Sequence, residues 1–280
     1  MNQAKLLSLS LIAIFAASCS DDDEPEVVYQ TITETETVVE TVTVDAPTYV
    51  LDTDITEDTT LDASVIWTLD GRVFVKNGAT LTIPAGTIIK AAGGTGTNAS
   101  VLVVAQGASI QANGTAEAPI IMTSVADDIE VGQLAGSNLD QNTRGLWGGL
   151  IVLGNAHVHG DDPAGATTQQ IEGIPADVVE GLFGGTDDTD SSGSITYLSV
   201  RHGGAEIGAD NEINGITFGG VGNGTTVNHI EVVGNVDDGV EFFGGSVNAT
   251  NVIVWGQGDD AVDIDMSYDC LLYTSDAADD

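Results

Sequence analysis

Two acidic turns carry the residues best suited to chemistry. Asp237-Asp238-Gly239-Val240-Glu241-Phe242 recurs 22 residues later as Asp259-Asp260-Ala261-Val262-Asp263-Ile264. Paired carboxylates can act as general acid and base, which makes Asp237, Asp238, Asp259 and Asp260 the catalytic candidates. If Val240 and Phe242 point inward along a strand, Glu241 points out, and Asp263 does the same beside Val262 and Ile264. Stacking the two segments sets Asp238 over Asp260 and Glu241 over Asp263, about 4.8 Å apart, on one solvent-facing line. Carboxylates this close repel unless a cation or a bound sugar intervenes, so Asp238, Asp260, Glu241 and Asp263 are a candidate Ca²⁺ site. No cofactor is required by this reading. The competing explanation is structural, since Asp-Gly marks turns and Asp side chains cap their own backbone.

Other side chains offer weaker chemistry. His157 and His159 share one strand face, with Asp161 and Asp162 just beyond, a transition-metal pattern lacking a fixed third ligand. Arg201 and His202 end a strand. Arg201 is one of only 6 basic residues and is better placed to neutralise a carboxylate than to catalyse. Trp147 and Trp255, like Trp67, are candidate sugar-stacking platforms, with Trp255 facing outward alongside Ile253. Trp147, Trp255, Arg201 and His202 therefore form the ligand-binding set. No phosphate loop, catalytic Ser triad or zinc cluster is visible.

The elements that must position these residues are short strands. His229-Ile230-Glu231-Val232-Val233 recurs as Asn251-Val252-Ile253-Val254-Trp255, again 22 residues on. Two strands sharing one offset indicate a coil repeated along an axis. A 22-residue period without helical patterning predicts an all-β, right-handed parallel β-helix over residues 48–269. A sandwich would show strands at 8–12-residue spacing without a longer repeat, and a propeller blade needs about 40 residues. Residues 127–144 and 160–190 interrupt the period, are rich in Gly and Asp, and read as polar loops projecting from one side. The chain has 280 residues, 43 acidic, with a formal charge of −37 and 42% hydrophobic residues. That charge repels nucleic acid and favours cations, while the apolar content suffices for a core.

The N-terminus reads as an address. Lys5, the apolar run from Leu6 to Ala17 and Ala16-Ala17-Ser18-Cys19 form a signal peptide (residues 1–18) ending in a sequence that resembles a lipobox. Cys19 is the expected lipidation site and the lipid anchor the expected membrane partner. Residues 19–47 form an acidic tether, Ser20-Asp21-Asp22-Asp23-Glu24, and a Thr/Glu/Val stalk. An acidic run after the lipidated Cys resembles the surface-export signal of Bacteroidetes lipoproteins, implying an outer-membrane protein facing the cell exterior. With Cys19 acylated and Cys270 in the tail, no disulfide is expected. Residues 270–280, Cys-Leu-Leu-Tyr-Thr-Ser-Asp-Ala-Ala-Asp-Asp, resemble a translated sequencing adapter and read as non-native, so the β-helix is expected to be incomplete at its C-terminal end.

The blocks Gly145-Leu146-Trp147-Gly148-Gly149, Ser199-Val200-Arg201-His202-Gly203-Gly204, Asn211-Glu212-Ile213-Asn214-Gly215 and Asp237-Asp238-Gly239-Val240-Glu241-Phe242-Phe243-Gly244-Gly245 resemble β-helical surface lipoproteins of the Bacteroidetes type. The resemblance implies the fold and leaves the activity open. Separately, Gly258-Asp259-Asp260-Ala261-Val262 resembles the Asp-Asp segment of polygalacturonase-type hydrolases, although a downstream His-Gly and a basic subsite are not visible. The leading expectation is a non-catalytic surface protein that binds extracellular glycan or mediates attachment. The alternatives are a polysaccharide hydrolase or lyase and an inert surface component.

Overall fold

The chain winds as coils of parallel strands, each coil adding one rung to three faces. The structure, a computed structural model, describes residues 49–159, 167–208 and 211–269. The signal peptide, Cys19, the tether and stalk, Asp161, Asp162, Cys270 and the rest of the tail lie outside these residues. Helix is confined to two 3₁₀ turns among the described residues.

The third face shows the register most plainly. Arg72–Val75, Val101–Val104, Leu150–Leu153, Ile216–Gly219, Val240–Phe243 and Val262–Asp265 lie side by side in one parallel sheet. Val240 pairs with Val262 and Ile230 with Val252, so the 22-residue offset is one coil of a right-handed parallel β-helix, as the sequence predicts. Thr80–Pro84 stacks on Ser109–Asn113 in the first face, and Ile66–Leu69 on Ile88–Ala91 in the second.

The first two faces merge in the later coils. Gly193–Arg201, Thr226–Val233 and Asn248–Trp255 each run through both and bend between them. The bend falls at Tyr197, His229 and Asn251, which have φ of 49°, 53° and 55°. The pairing register skips these residues, joining Thr196 to Asn228 and Leu198 to Ile230. The left-handed backbone turns the strand without a loop, and the Tyr197 and His229 rings stack at 4.3 Å.

Alternate side chains fill the interior because successive strand residues face opposite ways. Val73, Val75, Leu102, Val104, Leu150, Val152, Ile216, Phe218, Val240 and Phe242 are all buried there. The rings of Phe218, Phe242 and Tyr268 continue the stack, with centroids 5.3 and 4.5 Å apart. Each such side chain contributes about 1.5–3 kcal/mol when fully buried.

The insertions correct the expectation of projecting polar loops. Ile129, in the first, is buried with Ile88 and Ile121 against the outside of the second face. Asp127 accepts from Thr123 Oγ1 at 2.8 Å, and its carbonyl accepts from Lys90 Nζ at 2.8 Å. In the second insertion, Ile171, Ile174 and Phe183 are buried on the outside of the third face. A few apolar side chains in each segment suffice to fold it down, because the sheet surface beneath is itself apolar.

Candidate functional site

The outward column of the third face changes character along the solenoid axis. Pairing register runs it through Phe74, Val103, Ile151, Thr217, Glu241 and Asp263. The apolar members lie under the insertion side chains Ile171 and Phe183. The next insertion residue, Glu172, meets the acidic members instead. Asn214, on the turn before Ile216–Gly219, links the two layers. Its Nδ2 donates to Glu172 Oε1 at 3.1 Å and to Glu241 Oε2. Gly149 permits this placement, since a Cβ there would lie 2.2 Å from the Asn214 carbonyl oxygen.

Glu241 therefore does not lie on a solvent-facing line. It is 7% exposed, as is Asp238, because Asn214 and Glu172 cover the position that a bare strand would leave open. Asp238, Glu241 and Asp263 each place a carboxylate oxygen within 4.8 Å of the others, and Asp237, Asp238 and Asp259 form a second such group. Either group could hold a metal ion. Asp260 belongs to neither, which corrects its place in the ladder. Its backbone N–H donates to Asp238 Oδ1 at 2.8 Å, and its own side chain is exposed. That contact is the turn-capping role weighed for these aspartates, made across one coil.

Burial dominates the electrostatics. It pushes the Glu241 carboxyl up to about 9, and the charges of Glu172, Asp238 and Asp263 act in the same direction, against the Asn214 hydrogen bond. Glu172 rises to about 7 through burial and the Asp237 charge, while hydrogen bonds from Asn214 and Glu241 oppose the rise. Asp238 rises to about 6 through burial, opposed by the Asp260 N–H. Asp237 is raised by burial and then by Asp259. Among the described residues, no ion pair involves any of these groups. Asn214 Oδ1 is buried without a hydrogen-bond partner, a condition that costs about 1–3 kcal/mol. Chemically, the cluster can hold protons at neutral pH or gather a cation.

The family model described as a pectate-lyase like beta helix domain matches residues 53–272. The chain belongs to this family. Neither a curated protein nor a solved structure matches it. As in any pectate-lyase like β-helix, function has to be argued from the site and not from the coil.

The remaining candidates separate by burial. Trp147 is fully buried, and its indole N–H donates to the Arg201 carbonyl at 2.7 Å. It is a core residue, which corrects its assignment as a stacking platform, because Gly148 and Gly149, which follow it, let the chain before Leu150–Leu153 approach the neighbouring backbone closely. Arg201 is committed within the fold. It donates to Ser199 Oγ at 2.7 Å, to the Leu134 carbonyl at 2.8 Å and to Glu231 Oε2 at 3.2 Å. His202 is 4% exposed, with Nδ1 2.8 Å from the Thr143 carbonyl, and neither residue is free to take a ligand. Trp67 is half-buried against Tyr49. Trp255 and Ile253 stand outward, 61% and 60% exposed. His157 Nδ1 lies 2.9 Å from Asp188 Oδ1, and both His157 and His159 line a shallow concavity with Ser246, Ser267 and Asp269. No three-ligand group forms round these histidines among the described residues.

Glu172 and Asn214 are site residues that the acidic repeat did not disclose. The signal for Glu172 was the spacing of Ile171, Ile174 and Phe183 within an insertion otherwise rich in Gly and Asp.

Proposed function

We propose that this β-helix is the body of a lipid-anchored outer-membrane protein, displayed on the cell exterior, that binds extracellular glycan without turning it over. The observation that carries the reading is the exposed Trp255–Ile253 stripe on a rigid strand next to the acidic turn of Asp259. A flat aromatic face on a fixed scaffold suits the amphipathic ring of a sugar, and neighbouring carboxylates accept hydrogen bonds from its hydroxyls. The lipobox at Cys19 and the acidic run behind it support anchoring and display. The charge of −37 argues against nucleic acid as partner, and it favours Ca²⁺ as the ion of the acidic ladder.

Glycan-array binding of the full chain and of Trp255→Ala tests this reading. Binding by the parent and its loss in the variant is the expected result, and an array without any bound glycan overturns it in favour of an inert surface component. A second reading, hydrolase or lyase, is favoured by one observation. Asp237, Asp238 and Asp259 lie within 4.8 Å of one another, and Asp238 holds its proton up to about 6, a pairing suited to acid–base chemistry. Release of reducing or unsaturated ends from a bound glycan, abolished in Asp238→Asn, would establish that reading in place of simple binding.

A further inference from the structure

We propose that Gln141 and Arg144, at the end of the first insertion, form one sugar subsite with Trp255, and that the sugar it takes is uncharged. The inference rests on the glycan-binding reading of the Trp255–Ile253 stripe and adds the polar groups and the ligand class.

Packing sets these side chains beside the stripe. Residues 140–145 cross the corners that follow Arg201, Val233 and Trp255. The Gly145 N–H donates to the Gly203 carbonyl at 2.7 Å, and the Thr143 carbonyl lies 2.8 Å from His202 Nδ1. Gln141 sits against Gly256, the residue after Trp255. A Cβ at Gly256 would lie 2.3 Å from the Gln141 carbonyl oxygen and 2.9 Å from the Gln141 Cβ, so glycine is what admits the insertion here. Two residues on, a Cβ at Gly258 would lie 3.0 Å from Arg144 Nη1. Both side chains therefore reach the turn that follows Trp255.

Arg144 differs from the other cations of the chain. Of the 6 basic residues, Lys5 lies outside the described residues. Arg72, Lys76, Lys90 and Arg201 each donate to a carbonyl or a carboxylate. Arg144 makes no hydrogen bond or ion pair among the described residues, although the chain carries 43 acidic residues. It is half-buried, yet its nitrogens stay open to solvent, and the same holds for the Gln141 amide. A guanidinium kept clear of carboxylates retains its five donors for a ligand, and the amide adds two donors and an acceptor.

The ligand class follows from what else stands at this turn. Asp259 and Asp260, both exposed, follow Gly258 directly. Donors from the insertion and acceptors from the strand's own turn thus lie beside one exposed indole. A sugar hydroxyl donates and accepts at once, so neighbouring hydroxyls can bridge the two sets while the ring face lies on Trp255. A uronate or a sulfate would satisfy Arg144 but would meet both aspartates and a chain of charge −37. One guanidinium against that field selects an uncharged ligand.

The test uses the purified full chain, Arg144→Ala, Arg144→Lys, Gln141→Ala and Trp255→Ala on an array of uncharged, uronate-containing and sulfated oligosaccharides. Thermal midpoints are read alongside, and affinities are then measured on the oligosaccharide that the parent retains best. The parent should retain uncharged members and leave the uronate and sulfated ones unbound. Arg144→Ala should melt with the parent and lose about tenfold or more in affinity, as for a hydrogen bond from a charged group. Gln141→Ala should lose less. Arg144→Lys should recover only part of the loss, because an ammonium lacks the planar fork, and it carries the test if the alanine variant does not fold. Affinity unchanged in both Arg144 variants while Trp255→Ala loses binding overturns the subsite and leaves the stripe. Charged members bound as well as the uncharged ones, or better, overturn the ligand class. An array without any bound glycan overturns the subsite and the glycan reading together.

Discussion

The two halves of one outward column solve the same problem in opposite ways. At Phe74, Val103 and Ile151 the third face is covered by Ile171, Ile174 and Phe183, and the layers join by excluding water. At Glu241 and Asp263 the same face meets Glu172 and Asn214, and the layers join through one amide between carboxylates. The apolar seam carries no titratable group, so its strength does not depend on pH or on a bound ion. The acidic seam is weakened when its carboxyls lose their protons and no cation offsets the charge. A single insertion thus has one permanent attachment and one conditional attachment.

Breaking the permanent seam should have the largest effect. Phe183 is fully buried, with its ring centroid 6.2 Å from that of Phe243. Phe183→Ala is expected to cost about 3–5 kcal/mol, the usual range for emptying such a site. Denaturant unfolding measures it, and a loss below about 1 kcal/mol would mean that the insertion does not depend on this contact.

The conditional seam should respond to pH. Glu241 and Glu172 have folded-state pKa values raised to about 9 and about 7 from an ordinary glutamate value of 4.5. The folded protein therefore binds more protons than the unfolded chain between those limits, and stability must fall as pH rises through them. In chelator, the thermal midpoint is expected to be highest near pH 5 and to decline steadily towards pH 9. Glu241→Gln removes the larger contribution, so its midpoint should vary less with pH and exceed the parent's at pH 8. A parent curve flat from pH 5 to pH 9 would show that these carboxyls are not buried together.

Much of the coil was legible in the sequence, because a solenoid writes its period directly into its strands. Asp237–Phe242 and Asp259–Ile264 align at the offset by which the structure pairs Glu241 with Asp263. The cover was not legible. A period describes neighbours along the axis, whereas Glu172 reaches Glu241 from outside it, through a segment whose overall composition is polar. Trp147 was misplaced for a related reason. The type of a side chain announces a platform, but the glycines that follow it become meaningful only once Asn214 and Ser100 are known to press against them. The bends at Tyr197, His229 and Asn251 were equally hidden, since Asn and His are enriched in the left-handed region but Tyr is not, and no shared residue type marks the three positions.

The smallest expected stability change belongs to Trp255, and it isolates binding from folding. Its side chain is 61% exposed, and its contribution to the coil is a backbone one, the carbonyl that accepts the Gly234 N–H at 2.9 Å. Trp255→Ala keeps that bond and removes only an exposed ring, so unfolding free energy should stay within about 0.5 kcal/mol of the parent, as for surface changes in general. Retention on glycan should nonetheless fall, because stacking on an aromatic face is lost. Ile253→Ala, on the same outward stripe, should weaken retention less, since it removes apolar area but no ring. Glu241→Gln should leave retention unchanged in chelator, as its carboxyl is covered by Asn214. Equal retention by the parent and Trp255→Ala would remove the stripe from the binding surface. A fall in stability as large as that of Phe183→Ala would show that the ring packs on another layer, and that the contrast between covered and open faces of the coil does not hold at this strand.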